Sequence, residues 1–369
     1  MYKFYLNKLK IFVEIMYSVL LVISCVYTYL KAPVVIYLLS SGSNSAVLDI
    51  LSMFSRSVAI VCLISRITIL YKSTSDFFVY KKKIEYYELY YPMELLKKKI
   101  QRIFNTSILL AYIAIIFPLN IYRIYLIYHN YRNMILVLFY MMMYLQNISI
   151  CWTEICFIVN CMGLYLKFQT INYEMAELKA ESIKANKFPV VLQTERRSNR
   201  LTDPGSTDGF ISSNSSVHHL ANSIEQLRMR HQFVRCAVIE LSNLYSIQIV
   251  LSVCVLFVMT LFDIYAQVTN KDKITKTQIL FYGWLFQYSF RFCIIILTTH
   301  VTTKQANKPK VIITDINNRY IDNNSKEELQ LFLNQLSGRS VEFTPCDFFT
   351  LNTHLITSAI VAGTTYLII

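Results

Sequence analysis

Several ionisable side chains lie inside long apolar runs of this sequence, where a charge is costly and indicates either pairing or ligand binding. Arg291 is near the middle of one such run, and Asp263 and Glu154 in neighbouring runs are its candidate partners. If these charges instead bind a ligand, Arg291→Ala should reduce the ligand-evoked response while surface expression survives. The sequence leaves both alternatives open.

The sequence lacks the motifs of an enzyme or a metal site. No G-x-S-x-G, H-E-x-x-H or G-x-G-x-x-G pattern occurs, and the six histidines are scattered apart from the pair His218 and His219. The nine cysteines lie in or beside apolar runs without a C-x-x-C pair, which indicates buried thiols. We therefore predict no catalytic activity, no cofactor and no metal.

The last apolar run, residues 348–369, carries many hydroxyl groups. At 100° per residue, one helical face collects Thr350, Thr353, His354, Thr357, Ser358, Val361, Thr364 and Thr365. The opposite arc holds Leu355, Ile356, Ala359, Ile360, Gly363, Tyr366 and Leu367. Such a hydroxyl stripe either packs helices together through hydrogen bonds or lines an aqueous path.

The elements that position these groups are predicted to be membrane-spanning helices. Hydrophobic residues make up 54% of the 369 residues and charged residues 16%, whereas soluble domains have about 25% charged residues. At about 20 apolar residues per crossing, we predict an all-α bundle of seven transmembrane helices. Their spans are near 11–30, 46–71, 103–128, 134–166, 236–268, 278–303 and 348–369.

The distribution of lysine and arginine predicts the orientation of this bundle. One side of the predicted spans has 27 of the 36 basic residues, and the other side has 5. By the positive-inside rule the N-terminus is cytosolic, and seven spans then place the C-terminus outside. The net charge of +13 follows from this asymmetry and does not imply a nucleic-acid partner. The lysine clusters 81–83 and 97–99 are interpreted as topology determinants, with phosphoinositide binding as the alternative.

A polar stretch separates the fourth and fifth predicted spans. Its middle, 186–223, is rich in Ser, Asn, Asp and Gly, and we predict that it is a disordered cytosolic loop. The flanking segments 167–185 and 222–235 are predicted to extend the spans as helices, and 304–347 is predicted to be a cytosolic helical anchor. The whole chain, 1–369, is interpreted as one seven-transmembrane domain.

The C-terminal part resembles insect gustatory receptors. The segment Glu327–Asn352, E-E-L-Q-L-F-L-N-Q-L-S-G-R-S-V-E-F-T-P-C-D-F-F-T-L-N, leads into a span that ends T-T-Y-L-I-I. In that family a polar cytosolic helix precedes a span that ends in Thr-Tyr, five hydrophobic residues and Gln-Phe. Thr365, Tyr366 and the residues up to Ile369 match the start of this signature, which is truncated here. The stretch Arg235–Tyr245 is also similar to the family.

The resemblance implies a ligand-gated, non-selective cation channel in the plasma membrane of chemosensory neurons. Four subunits, identical or from different gustatory receptors, would each place one seventh span around a central pore. Ile369 would be the hydrophobic gate, and the hydroxyl stripe would contact the permeating cations. The pore and gate residues are then His354, Thr357, Ser358, Val361, Thr364, Thr365, Tyr366 and Ile369.

The same resemblance implies that a small-molecule tastant binds in the outer half of the bundle. Depth in the membrane and side-chain chemistry select the candidate residues. They are Arg56, Arg123, Asp263, Tyr282, Trp284, Gln287, Tyr288 and Arg291.

Two other functions are weighed against a channel. A G-protein-coupled receptor would need an outside N-terminus, and neither Asp-Arg-Tyr at the end of the third span nor Asn-Pro-x-x-Tyr in the seventh occurs. A secondary transporter is opposed by only seven Gly and seven Pro and by the lack of internal repeats.

Overall fold

The structure, a computed structural model, is helical throughout most of its length. It describes the backbone of residues 2–39, 45–73, 76–187, 211–269, 276–316, 321–338 and 340–368. The side chains are described for 13–35, 55–72, 76–180, 220–262, 264, 280–316, 321–338 and 340–365. The helices are α1 (Tyr2–Leu39), α2 (Ser45–Ser73), α3 (Asp76–Tyr90), α4 (Leu95–Tyr131), α5 (Met134–Lys187), α6 (Ile211–Thr269), α7 (Lys276–Thr314), α8 (Asn323–Gly338) and α9 (Thr353–Ile368), with a 3₁₀ turn at Pro345–Asp347. The predicted all-α class is confirmed.

A tight turn joins α4 to α5. Arg132 ends α4 in the left-handed conformation (φ 47°, ψ 27°), and its N–H donates to the Tyr128 carbonyl at 3.1 Å. The Asn133 side-chain oxygen accepts from the N–H of Ile135 at 2.9 Å and so caps the start of α5. These groups satisfy the backbone at both helix ends, and the chain reverses within two residues.

The helices α5 and α6 are far longer than a membrane is thick. They have 54 and 59 residues, which corresponds to about 80 to 90 Å at 1.5 Å per residue, against a hydrocarbon core of about 30 Å. The predicted helical extensions at 167–185 and 222–235 are therefore confirmed.

Part of the segment 186–223, predicted to be a disordered loop, is helical. Helix α6 begins at Ile211, so 211–223 is helical, and 188–210 lies outside the described residues. Farther along the same helix, Ile224 and Leu227 are buried one turn apart. Their packing anchors the helix, and the polar residues that precede them continue its hydrogen bonding. The amino-acid composition of 211–223 alone does not predict this helix, because the anchoring residues lie after the segment.

The predicted anchor at 304–347 contains the end of α7 and the amphipathic helix α8. Helix α8 buries Ser325, Leu329, Phe332 and Leu336, a spacing that places all four on one face. The Asp322 carboxylate accepts from the N–H of Ser325 at 3.0 Å and caps the helix start. Helix α8 packs against α6 and α7 through this face.

Five of the described helices are long and apolar enough to cross a membrane. They are Val13–Val35, Leu95–Tyr131, Met134–Ala180, Leu220–Phe262 and Leu280–Thr314. The pair Ser55–Lys72 and Asp76–Tyr90, bent by 59°, brings the number to six if it is one span. The predicted seventh span corresponds to α9, whose 16 residues are fewer than the 20 or so of a typical crossing. Seven spans thus remain a prediction.

Helix α5 is central to the bundle and contacts α1, α2, α4, α6, α7. Glu154 of α5 contacts Arg291 of α7, and farther along both helices Asn172 contacts Gln305, so the two helices run parallel. The contacts of α5 with α6 run in the opposite sense, so that pair is antiparallel. Helix α5 therefore runs parallel to α7 and antiparallel to α6, and polar side chains of both helices contact it.

Candidate functional site

Arg291 and Glu154 form an ion pair in the interior of the bundle. Nε and one terminal nitrogen of Arg291 each donate to a different carboxylate oxygen at 2.8 Å. The two side chains are 4% and 1% exposed. Of the two partners that the sequence offered for Arg291, the structure thus places Glu154 against it.

Neighbouring side chains complete the hydrogen bonding of this pair. The other terminal nitrogen of Arg291 donates to Asn147 Oδ1 at 2.8 Å. The Tyr112 hydroxyl donates to Glu154 at 3.2 Å, and the Ser252 hydroxyl also donates to this carboxylate. A buried charge needs such partners to offset its desolvation. The ion-pair cluster therefore joins α4, α5, α6 and α7.

A second charged group, Arg123 of α4, lies between aromatic rings nearer the α4–α5 turn. The guanidinium carbon is 4.1 Å from the centre of the Trp284 ring and 4.8 Å from that of Tyr140. A terminal nitrogen donates to the Tyr140 hydroxyl at 3.1 Å. Tyr144 and Tyr288 are within electrostatic range of the same guanidinium. We call Arg123, Tyr140, Tyr144, Trp284 and Tyr288 the aromatic cage.

Two buried polar atoms near the aromatic cage have no hydrogen-bond partner among the described residues. They are the Tyr144 hydroxyl and the Gln287 side-chain oxygen, in residues that are 8% and 2% exposed. Gln287 lies one helical turn from Trp284 and one from Arg291, so it lies along α7 between the cage and the ion-pair cluster. Buried polar groups normally find a partner. This region is therefore suited to a water molecule or a polar ligand.

The predicted pocket residues are only partly brought together. Arg123, Trp284 and Tyr288 share the aromatic cage, with Gln287 next to them along α7, and Arg291 lies in the ion-pair cluster. Arg56 instead donates to the Tyr29 carbonyl at 3.3 Å, on the α1–α2 contact. Tyr282 is 57% exposed and contacts the Phe281 ring. The side chain of Asp263 lies outside the described residues.

Of the residues that α5 contributes, sequence reasoning singled out Glu154 but not the uncharged ones. Tyr140, Tyr144, Asn147 and Glu154 recur at spacings of four, three and seven residues, which places them on one face of a helix. A polar face of this kind inside an apolar span is a detectable signal. It was obscured because Tyr and Asn, unlike Glu154, carry no charge.

Helix α9 divides into a packed face and an exposed face, much as its periodicity predicts. Leu355 and Ile356 pack against the main core, and Gly363 is buried. Of the predicted stripe, Thr353 at the start of this helix is half-buried, and the six other members on the helix are exposed. They are His354, Thr357, Ser358, Val361, Thr364 and Thr365.

One residue of α9 departs from the prediction. Ile360 is 60% exposed, although the projection places it on the packed arc. In the projection Ile360 lies just outside the edge of the stripe. Val361, the next residue along the chain, is also exposed, so the exposed face of α9 is wider and more apolar than expected. Thr357, Thr364 and Thr365 donate to backbone carbonyls of α9 itself. The side chain of Tyr366 and all of Ile369 lie outside the described residues.

Within the part of the chain whose side chains are described, no group of three or more His, Cys, Asp and Glu is placed to hold a metal ion. The polar groups in the bundle interior are instead arginine, carboxylate, amide and aromatic hydroxyl groups. Such a set suits hydrogen bonding and cation–π contact with an organic ligand.

Comparison with known protein families identifies chemosensory receptors. Residues 164–369, more than half of the chain, match the family described as 7tm chemosensory receptor. A search of curated proteins finds no match.

The fold has solved counterparts. The insect olfactory receptor OR5 from Machilis hrabei superposes with a TM-score of 0.58 at 11% identity, covering 96% of this chain and 86% of that one. The same receptor in complex with eugenol gives a TM-score of 0.57 at 11% identity, covering 96% and 87%. At this identity the likeness shows the fold alone. The family match covers more than half of the chain and shows more than the fold. This chain belongs to the 7tm chemosensory receptor family.

Proposed function

We propose that this receptor is a gustatory receptor, a ligand-gated non-selective cation channel in the plasma membrane of chemosensory neurons. A small-molecule tastant would bind in the outer half of the bundle. Four subunits, of one kind or of several, would surround a central pore lined by α9. The resemblance of residues 327–369 to insect gustatory receptors supports the taste assignment over other chemosensory roles.

The two-faced character of α9 is the observation that carries the channel proposal. Its packed face is fixed against α6 and α7, while its hydroxyl-bearing face is exposed in the single chain. Threonine hydroxyls that donate to their own helix still have lone pairs available as acceptors. Such oxygens can replace part of the hydration shell of a cation. Ile369 is proposed as the gate on family resemblance.

The aromatic cage and its orphaned polar atoms support a ligand site. A ligand with an acceptor oxygen could bind a guanidinium N–H of Arg123, and its apolar part would contact Trp284. The related olfactory receptor binds eugenol, a small aromatic phenol. We propose a ligand of comparable size here, bound between α4, α5 and α7.

Cysteine accessibility tests the pore assignment. Single substitutions Thr357→Cys, Val361→Cys and Thr364→Cys would be compared with Ala359→Cys, which is less exposed on the packed side of α9. Whole-cell current would be recorded before and after a membrane-impermeant thiosulfonate reagent, in the presence of an activating tastant.

The expected result is modification of the current at Thr357, Val361 and Thr364, with protection at Ala359. Loss of current at Ala359 alone, or no effect at any exposed position with normal surface expression, would contradict a pore lined by this face. The same cells, exposed to sugars, alkaloids, amines and phenols in turn, identify the tastant class.

A further inference from the structure

A cavity outside the proposed ligand site opens between α3, α5, α6 and the connection that leads into α4. Its volume is about 240 Å³, and the connection 91–94 forms part of its wall. The lysine and arginine count predicts that this end of the bundle is cytosolic. Its lining residues are Tyr87, Glu88, Tyr90, Tyr91, Pro92, Met93, Glu94, Lys167, Thr170, Glu174 and Arg230.

The cations of this cavity are buried, and their carboxylate partners are not. Lys167 is 4% exposed and pairs at 2.6 Å with Glu88, which is 43% exposed. Arg230 is 8% exposed and pairs with Glu174, which is 36% exposed. Because the carboxylates reach water, they can exchange for another anion without being left buried and unpaired.

Arg230 retains a donor that its partners do not use. Its Nε has no hydrogen-bond acceptor among the described residues, although the Tyr87 hydroxyl is a neighbour of the guanidinium. Arg230 also lies over the Tyr91 ring at 4.4 Å, which fixes its position. Arg230 lines the cavity, and a guanidinium with an unused donor is suited to an anionic oxygen once the exposed Glu174 carboxylate moves away.

The start of α4 adds positive potential at the same place. Its cap residue, Glu94, makes no side-chain capping bond, and its first turn has no acidic residue. Uncapped N–H groups at a helix start attract anions. Lys97, only 14% exposed, donates to Thr170 in the cavity wall at 3.2 Å and pairs at 3.5 Å with Glu94, whose carboxylate is 61% exposed.

We propose that this cavity binds a ligand with several phosphate groups, such as the headgroup of a phosphoinositide of the cytosolic leaflet. The phosphates would contact Arg230, Lys167, Lys97 and the start of α4, displacing the exposed carboxylates of Glu88, Glu94 and Glu174 into water. The ligand would tie α4 to α5 and α6. The site does not depend on the proposed tastant pocket or pore, since its test measures binding and not current.

Binding to the purified full-length chain in neutral detergent tests the proposal. The probe is a fluorescent short-chain phosphatidylinositol bisphosphate, followed by fluorescence polarisation. Lys97→Gln should weaken binding roughly tenfold, since it removes one charge-assisted contact. The matched control is Lys82→Gln, an exposed lysine of α3 outside the cavity lining, which should leave the affinity unchanged.

Glu88→Gln should increase the affinity for the probe, a result that misfolding of the variant cannot produce. It removes the competing charge from Lys167 but leaves an amide oxygen as acceptor, so the probe should bind several-fold more tightly. No change in affinity for Glu88→Gln would overturn the proposal. Equal weakening by Lys97→Gln and Lys82→Gln would overturn it as well.

Unlabelled competitors distinguish the sources of phosphate. Displacement by the short-chain bisphosphate lipid at lower concentration than by inositol trisphosphate supports the membrane lipid as occupant. Equal displacement by the soluble inositol trisphosphate supports the site with a cytosolic occupant. Equal displacement by phosphatidylserine would show that only net charge is recognised, and the proposal would be wrong.

Discussion

Arg291 and Glu154 are joined by two parallel hydrogen bonds of 2.8 Å at a depth where neither side chain is more than 4% exposed. Bidentate geometry of this kind is the strongest form of arginine–carboxylate contact. Since Glu154 also accepts hydrogen bonds from Tyr112 of α4 and Ser252 of α6, the pair links four helices of the bundle. Ligand binding is therefore not required to explain why two charged residues lie at this depth.

Arg291→Ala should reduce stability, contrary to what the sequence alone led us to expect for surface expression. Removing one member of a buried pair costs about 3–5 kcal/mol, because the other charge is left without a partner. We expect strongly reduced surface expression and a lower unfolding midpoint in detergent. Arg56→Ala is the control, since the described contacts of Arg56 are a 3.3 Å hydrogen bond to the Tyr29 carbonyl and a cation–π contact with the Tyr29 ring, neither of which involves a buried carboxylate.

Replacing both Arg291 and Glu154 tests whether the unpaired buried charge causes the loss of expression. The double variant Glu154→Gln, Arg291→Gln keeps acceptors for Tyr112 and Ser252 without buried charge, and it should recover much of the lost expression. If the double variant is as poorly expressed as Arg291→Ala, the loss does not come from an unpaired charge.

Arg123→Gln should alter ligand sensitivity with a smaller effect on expression. The substitution removes cation–π contacts with Trp284 and Tyr140, each worth about 0.5–2 kcal/mol, and the donors proposed to bind the ligand. We expect at least a tenfold higher ligand concentration for half-maximal current. Dose–response curves normalised to surface expression provide the measurement.

Tyr282→Ala is the matched control for the cage. This residue lies on the same helix as Trp284 but is 57% exposed, so its removal should leave the dose–response curve in place. An unchanged curve for Arg123→Gln, or an equal shift for both variants, would remove the aromatic cage from the ligand site.

Much of the bundle is predictable because apolar runs of about 20 residues are a strong signal. The depth of Arg123 and Arg291 follows from their places in such runs. The partners of these residues do not, since they come from helices whose rotation about their axes depends on packing. Asn147 and Ser252 carry no charge and are ordinary residues of a span until Arg291 and Glu154 lie beside them.

The limits of the helices were harder to predict than their existence. The segment 211–223 has a composition typical of disorder, yet it continues a helix that is anchored by Ile224 and Leu227. Ile360 shows a related effect at the scale of one residue. A projection assigns it to the apolar arc, but the neighbours of α9 cover Leu355, Ile356 and Gly363 and leave Ile360 60% exposed.

The N-terminus should be cytosolic. Because 27 of the 36 basic residues lie on one side of the predicted spans, the reverse orientation would require their transfer across the membrane. An epitope tag at the N-terminus should stain only after permeabilisation, whereas a tag after Ile369 should stain in intact cells. Staining of the N-terminal tag in intact cells would instead favour the orientation of a G-protein-coupled receptor.

Gly363 of α9 lies against Leu261 of α6 and offers a test of how the exposed stripe is oriented. A Cβ atom at this position would lie 3.1 Å from Leu261 Cδ2. Gly363→Ala should be tolerated with a small loss, because the end of a leucine side chain can move. Gly363→Val adds two methyl groups that Leu261 cannot avoid, and overpacking of this kind costs about 1–3 kcal/mol. It should lower the unfolding midpoint and reduce the evoked current.

Two further variants separate packing from side-chain size. Ser358→Val enlarges an exposed position of α9 and should leave the unfolding midpoint unchanged. Adding Leu261→Ala to Gly363→Val should restore part of the midpoint, because it creates room where the valine collides. A midpoint that falls equally for Ser358→Val and Gly363→Val would mean that the hydroxyl face is also packed. The stripe would then hold helices together, and the pore would have to be lined by another surface.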